Sequence, residues 1–237
     1  MFPLVLLAGF GPQIKWQHDT LARIARYLPL IILAAVIAGS LFFLNEQVSV
    51  GVVIWVGVAV WVIMSIIAFL FSGAGRFKIP LSYWGMSIAH VGLALFVLGV
   101  TFNGAYSEEK AVQVGKQNAV EVAGYRFMFR DVEKQAGPNY LSQVGKIEVS
   151  HPSGKIATLY PEKRTYMVQK NPMTEAAIHS TLFYDLYVSL GDRLDDGQWT
   201  LRVYYRPFMQ WIWIGVLLIA IGGTVSAFDR RYRKRAS

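Results

Sequence analysis

The feature that most constrains this chain is an apolar stretch at residues 82–104, SYWGMSIAHVGLALFVLGVTFNG, which contains a single histidine, His90. About twenty predominantly apolar residues are enough to cross a bilayer as a helix, so the stretch predicts a transmembrane helix. A histidine in hydrocarbon is costly unless its ring nitrogens have partners, which indicates a functional site. The alternative is a neutral histidine that hydrogen-bonds to a neighbouring helix.

The residues three and four positions from His90 lie beside it on a helix. Ser87 and Ala94 would leave room next to the ring, and Met86 and Leu93 would supply an apolar wall. This surrounding suits a flat hydrophobic macrocycle such as haem, bound through the imidazole. It suits close helix packing equally well, so both interpretations stay open.

A second face of the same helix carries small residues at Gly85, Ala89, Gly92 and Gly99, well round the helix from His90. Such spacing lets the backbone of another helix approach closely. The helix is therefore predicted to pack on one side and to present His90 on another.

The composition indicates an integral membrane protein, because 54% of the 237 residues are hydrophobic. The net charge of +8 does not indicate nucleic-acid binding, since the basic residues crowd into short segments beside apolar runs. The chain has no cysteine, which excludes disulfides, cysteine-ligated metals and a cysteine nucleophile.

Four full spans are predicted, at 27–44, 48–73, 82–104 and 208–228. The apolar opening before Gly11 is too short to span, and it resembles the last half of a membrane helix of a longer parent or a re-entrant segment. Residues 13–26 predict an amphipathic segment along the membrane surface, with a solvated His18. The resulting divisions are 1–26, 27–104, 105–207 and 208–237.

Basic loops predict the orientation of the chain. The tail after residue 229, the loop 74–80 and the segment 13–26 are all basic, so the positive-inside rule assigns them to the cytoplasm. The polar region 105–207 then falls on the outer side.

The region 105–207 carries alternating runs that predict about six short strands, separated by turns that include Gly124 and Gly191-Asp192. They predict a small antiparallel barrel or sandwich. The fold class is thus an α+β integral membrane protein, with four full transmembrane helices, a partial N-terminal one and an external antiparallel β-rich domain. The runs are 119–122, 125–129, 145–149, 155–159, 185–190 and 199–204.

No hydrolytic motif and no phosphate-binding glycine loop is present in the polar region. His151 is interpreted as a solvated turn residue. His179 ends the stretch 171–179, which is predicted to be irregular, and either faces a ligand or is a polar loop residue. Lys163 and Arg164 belong to a solvated charge cluster, or they receive carboxylates such as haem propionates.

Several separated motifs resemble the C-terminal part of the CcmF/NrfE family of cytochrome c haem lyase subunits. They are WGMSIAHVGLALFVLGV, PEKRTY, NPMTEAAI, DLYVSLG, the pair Arg202 and Tyr204 before PFMQWIW, and GG followed by DRRYR. The likeness covers essentially the whole chain, including FPLVLLAGFGPQIKW.

The resemblance implies a role in attaching haem to the CxxCH cysteines of apocytochrome c in the bacterial periplasm. A CcmE-like chaperone would deliver the haem, and a CcmH-like subunit would present the apocytochrome. A family histidine at the position of His90 is one of two axial ligands to the iron of a haem b in the inner membrane, which keeps the incoming haem iron reduced. The resemblance also implies that the β domain is periplasmic and the C-terminus cytoplasmic.

The sequence departs from the family at several points. None of its seven tryptophans lies in a tryptophan-rich WWD segment, and no second membrane histidine completes the haem b site. Where this chain has His179 and Tyr184, family members often have Asp and Arg. We therefore expect a fragment of a longer CcmF, or one product of a split gene, whose partner supplies the second histidine and the haem-handling segment.

Two other functions are weighed against this one. A non-catalytic membrane scaffold would dock maturation partners through its β domain while His90 merely packs. A transporter is disfavoured, because the chain has no paired broken helices and no second intramembrane charge.

Overall fold

The computed structural model describes residues 2–12, 25–44, 48–71, 80–168 and 170–229. The predicted amphipathic segment with His18, most of the basic loop 74–80 and the basic tail lie outside the described residues. The chain divides into two compact units. One contains the helices, and the other, from Tyr106 to Met209, contains all the strands.

Apolar runs without charge make up the helical unit, and each ends where polar residues or glycine interrupt the run. Among the described residues, three helices are long and apolar enough to cross a membrane, namely α4, α5 and α6. The helices are α1 (Phe2–Ala8), α2 (Leu28–Gly39), α3 (Leu41–Leu44), α4 (Val50–Phe71), α5 (Leu81–Tyr106) and α6 (Met209–Ala227), with a 3-10 turn at Ala25–Tyr27 before α2.

The predicted first span, 27–44, is not a single long helix. It divides at Ser40 into α2 and α3, and the 12 residues of α2 cover only about 18 Å. The hydrocarbon core is about 30 Å thick, so α2 alone is too short to cross it upright. A fourth full span therefore stays a prediction.

The core of the helical unit lies around α4. Val58, Ala59 and Val62 of α4 are buried in one cluster with Ala34 of α2 and Ala94 of α5. Because α4 contributes most of the buried residues of this cluster, it is the element against which α1, α2 and α5 are organised.

Alternating apolar residues give the strand unit two antiparallel sheets. A four-stranded sheet has the order β1-β10-β9-β8, and a six-stranded sheet has the order β2-β3-β4-β6-β7, with β5 pairing with the other half of β4. The strands are β1 (Glu108–Val114), β2 (Ala119–Val122), β3 (Tyr125–Ala136), β4 (Tyr140–His151), β5 (Gly154–Leu159), β6 (Glu162–Tyr166), β7 (Pro172–Glu175), β8 (Ala177–Ser180), β9 (Tyr184–Arg193) and β10 (Trp199–Pro207).

The two sheets enclose one apolar core, which makes the unit a sandwich. Phe127, Ile147 and Val149 of one sheet meet Leu186 and Val203 of the other, and all five are fully buried. At about 25 cal/mol per Å² of buried apolar surface, this core is the main source of the unit's stability.

The structure corrects the strand prediction in two respects. All six predicted strands are present, but β1, β6, β7 and β8 were missed. The stretch 171–179 is largely β7 and β8 instead of an irregular loop, and the predicted turn at Gly191-Asp192 lies inside β9. These residues are extended because their neighbours in the ladder supply backbone hydrogen bonds.

Candidate functional site

His90 lies in the middle of α5 with its ring half-buried. The ring nitrogen Nδ1 is 2.8 Å from the carbonyl oxygen of Met86, one helical turn earlier. A carbonyl oxygen only accepts hydrogen bonds, so Nδ1 must carry the proton. In the tautomer with its proton on Nδ1, the lone pair is on Nε2, and a backbone-anchored imidazole of this kind is a common metal ligand.

The Nε2 atom of His90 faces the chain that follows α1. Among the described residues, Nε2 makes no hydrogen bond, and a Cβ atom built on Gly11 would lie 3.8 Å from it. Because Gly11 has no side chain, no side-chain atom of that residue crowds Nε2.

Helix α4 fixes the segment that carries Gly11. The Ser65 hydroxyl donates to the carbonyl of Gly9, and the indole N–H of Trp61 donates to the carbonyl of Leu6 at 3.2 Å. A Cβ atom on Gly9 would lie only 2.0 Å from the Trp61 ring, so this position requires glycine. Two buried polar groups of α4 thus satisfy carbonyls at the end of α1, which would otherwise lack partners in an apolar surrounding.

These contacts were not predicted from the sequence. Trp61 and Ser65 are separated from α1 by more than fifty residues. The one available signal was Ser65 itself, a polar residue in an otherwise apolar helix, since such residues usually bond across helix contacts.

The sequence predicted open space beside the His90 ring at Ser87 and Ala94, and this prediction is wrong because both residues are buried. Ala94 is fully buried and packs in the cluster with Val58 and Ala59 of α4, and Ser87 is only 4% exposed. The Ser87 hydroxyl is buried without a hydrogen-bond partner among the described residues. Such a group costs about 1–3 kcal/mol when it stays unpaired.

The predicted small-residue face of α5 is confirmed at Gly85, Ala89 and Gly92, and its partner is α6. A Cβ on Gly85 would lie 2.5 Å from the carbonyl oxygen of Gly222, and one on Gly92 would lie 2.7 Å from that of Gly215. Ala89 contacts Gly222 on the same face. The two helices therefore touch backbone to backbone on a side of α5 different from that of His90.

The other described histidines do not form a metal site. His151 is exposed, as predicted, but it is the last residue of strand β4 and not a turn residue, and its Nδ1 atom is 3.1 Å from the Ser153 hydroxyl. His179 is half-buried in β8 and pairs with Leu186 in the ladder. Within the described ranges, no three histidine, aspartate or glutamate side chains come together to hold a metal.

The cluster of Glu162, Lys163 and Arg164 is part of strand β6. Lys163 pairs with Asp192, and the Nε atom of Arg164 is 2.8 Å from the Glu162 carboxylate. This guanidinium holds the pKa of Glu162 below its usual range, and the carboxylate raises the pKa of Arg164. Both cations already have carboxylate partners within the sandwich, so neither is a ready-made receptor for a further carboxylate.

The described residues contain three helices long and apolar enough to cross a membrane, and one of them carries a half-buried histidine. The β-sandwich lies in the chain between two of these helices. This order of elements is that of an integral membrane protein with an inserted sandwich domain. Residues 105–207 match the family described as the CcmF C-terminal β-sandwich. The chain is 38% identical over 247 residues to the cytochrome c-type biogenesis protein CcmF of Haemophilus influenzae, with 98% of the chain and 38% of that protein covered.

Two further relatives agree with this match. CcmF of Escherichia coli is 38% identical over 240 residues, which cover 100% of the chain and 37% of that protein. The solved structure of the cytochrome c heme lyase CcmF has the same fold, with a TM-score of 0.80 at 20% identity, over 96% of this chain and 38% of that one.

The chain belongs to the CcmF family. It spans 38% of the length of the H. influenzae relative.

Proposed function

We propose that this chain is the C-terminal part of a haem lyase for c-type cytochromes and that His90 is one axial ligand of a haem b. The observation that carries the proposal is the hydrogen bond from Nδ1–H of His90 to the Met86 carbonyl, which leaves the Nε2 lone pair for iron. The second histidine would come from the remainder of a CcmF protein or from a split partner chain.

The residues around His90 fit such a group in three ways. The ring is anchored, no side chain of Gly11 occupies the space near Nε2, and the Ser87 hydroxyl three residues before His90 has no partner among the described residues.

In the proposed role, the chain acts within cytochrome c maturation. Haem would pass from a CcmE-like chaperone to the cysteines of an apocytochrome c presented by a CcmH-like subunit. The chemistry that a bound haem b would supply is one-electron reduction, which keeps the iron of the incoming haem ferrous. His90 would hold the iron through Nε2, and the Met86 carbonyl would fix the orientation of the ring.

The proposed arrangement in a bacterial inner membrane has the sandwich in the periplasm and the C-terminus in the cytoplasm. Its support is the positive-inside rule, applied to the basic tail and to the two basic segments at 13–26 and 74–80. An impermeant maleimide tests it in intact cells, because the chain has no native cysteine. Lys155→Cys in the sandwich should react, and labelling only after lysis would refute the arrangement.

The ligand assignment is tested by the optical spectrum of the chain purified with its complement. We expect His90→Ala to remove or shift the b-type bands, and added imidazole to restore them in part. His151→Ala and His179→Ala are matched controls in the sandwich and should leave the spectrum unchanged. Bands that persist unchanged after His90→Ala would show that His90 is not a ligand.

One observation favours a second function, a non-catalytic scaffold. Ser87 is buried, and Ala94 is buried in the cluster with α4, as expected if this part of α5 serves packing. A scaffold would keep cytochrome c maturation intact after His90→Ala. It would lose capture of a CcmH-like subunit when 105–207 is deleted.

A further inference from the structure

One end of the sandwich carries an exposed apolar turn between β8 and β9. Leu182 and Phe183 occupy its tip and are 53% and 56% exposed. The turn is held by hydrogen bonds between its own residues, because Thr181 N–H donates to the Tyr184 carbonyl at 2.9 Å and Tyr184 N–H donates to the Thr181 hydroxyl at 3.0 Å. The two apolar side chains are thus presented on a fixed turn.

This turn is bonded to the residue that precedes helix α6. Phe208 N–H donates to the Phe183 carbonyl at 2.7 Å, and the two rings meet edge to face at 6.2 Å. Phe208 has a φ of +55°, a left-handed conformation that is uncommon for a bulky residue. The backbone turns sharply here, and Met209 begins α6 directly afterwards.

The length of α6 determines where its first residue, Met209, lies relative to the bilayer. Its 19 residues cover about 28 Å, close to the roughly 30 Å of a hydrocarbon core. The whole helix is therefore needed to cross, which puts Met209 at the boundary between hydrocarbon and headgroups. Trp211 and Trp213 follow in its first turns, and tryptophan is enriched at this boundary.

We propose that Leu182 and Phe183 form a membrane anchor that inserts into the boundary between lipid headgroups and acyl chains. Phe183 is one hydrogen bond away from the residue that enters the membrane helix, so this end of the sandwich must lie at the lipid surface when α6 spans it. The exposed Arg206 lies two residues before Phe208 and can reach headgroup phosphates. The inference requires α6 to cross a bilayer and is independent of the role of His90.

The absence of native cysteine allows a direct test in the full chain, reconstituted in phosphatidylcholine nanodiscs. A nitroxide is attached to Leu182→Cys, and its collisions with oxygen and with a water-soluble nickel complex are measured by power saturation. Oxygen concentrates in lipid and the nickel complex in water. We expect collisions with oxygen to exceed those with nickel at Leu182→Cys.

Leu141→Cys is the matched control, because Leu141 is a leucine of the same domain with 58% exposure. It lies two residues from Gln143, which lines a cavity with Arg193 and Trp199 at the other end of β9 and β10. The nine-residue strand β10 is about 26 Å long from Trp199 to Pro207. A label at Leu141→Cys should therefore collide more often with nickel than with oxygen.

Phe183→Cys repeats the measurement at the second anchor position, and circular dichroism checks the folding of each labelled protein. A label at Leu182→Cys that collides with nickel as often as the label at Leu141→Cys would overturn the proposal. So would a label shielded from both reagents, because it would show that protein instead of lipid covers the turn.

Discussion

The backbone contact between α5 and α6 allows two neighbouring glycines to be tested against each other. A Cβ atom on Gly222 would lie 2.4 Å from the carbonyl oxygen of Gly85 and 2.5 Å from the amide nitrogen of Ala89. Both are backbone atoms of α5, so no side chain can rotate out of the way. The substitution Gly222→Ala must separate the helices by roughly 1 Å to restore normal contact distances.

The expected cost follows from this separation. A gap of 0.5–1 Å forfeits about a quarter to a half of each dispersion contact, and overpacking typically costs about 1–3 kcal/mol. Gly223 is the matched control, because a Cβ atom there would meet no heavy atom within 4 Å. Replacing an unhindered helical glycine by alanine is worth about 0.5–1 kcal/mol in favour of alanine. Gly222→Ala should therefore destabilise the protein, while Gly223→Ala should be neutral or stabilising.

The assay is reversible unfolding of the purified chain in mixed micelles with increasing dodecyl sulfate, followed by circular dichroism. We expect the unfolding free energies of the two variants to differ by roughly 1.5–4 kcal/mol, the sum of the two opposite effects. If Gly222→Ala and Gly223→Ala unfold at the same detergent fraction, the close approach of α5 and α6 is not a determinant of stability and the reasoning fails.

Two further predictions concern α4 and the sandwich. Trp61→Phe keeps an aromatic ring but removes the N–H donor to a carbonyl of α1. It should lower the free energy of unfolding by about 1 kcal/mol and speed amide hydrogen exchange at the end of α1. Trp84→Phe, at a 46% exposed position of α5, should have neither effect. Arg164 lowers the pKa of Glu162 in the folded state, so the stability from this pair is present above the ordinary glutamate pKa and lost as the pH falls through the lowered value. Glu162→Gln should therefore reduce the fall in melting temperature on the acid side of a pH profile. Glu133→Gln, at an exposed position, should leave that fall unchanged. Equal profiles for the two variants would contradict a contribution of the ion pair to stability.

The helices could be predicted because length and apolar character alone decide whether a segment spans a membrane. The predicted ends of the spans at 48–73, 82–104 and 208–228 lie within two residues of those of α4, α5 and α6. The break at Ser40 was not predicted, since Gly39 and Ser40 are tolerated inside membrane helices and the local sequence stays apolar on both sides.

The strands divide into two groups for a physical reason. Strands with one face in the core, such as β9 with Leu186 and Val188, show alternation in the sequence because burial demands it. Strand β1 begins with two glutamates and a lysine and is exposed over most of its length, yet it pairs with β10 at seven positions. Its structure comes from the partner's backbone and leaves little trace in its own side chains.

The two ring nitrogens of His90 differ in how far their surroundings could be predicted from the sequence. The partner of Nδ1 in His90 is the carbonyl of Met86, four residues earlier, and any α-helix brings that carbonyl within reach. This local contact makes Nδ1 the donor. The surroundings of Nε2 depend instead on Gly11, which tertiary contacts from Ser65 bring close to the ring. The sequence can thus predict a candidate metal ligand at His90, but the surroundings of Nε2 depend on residues distant in the chain.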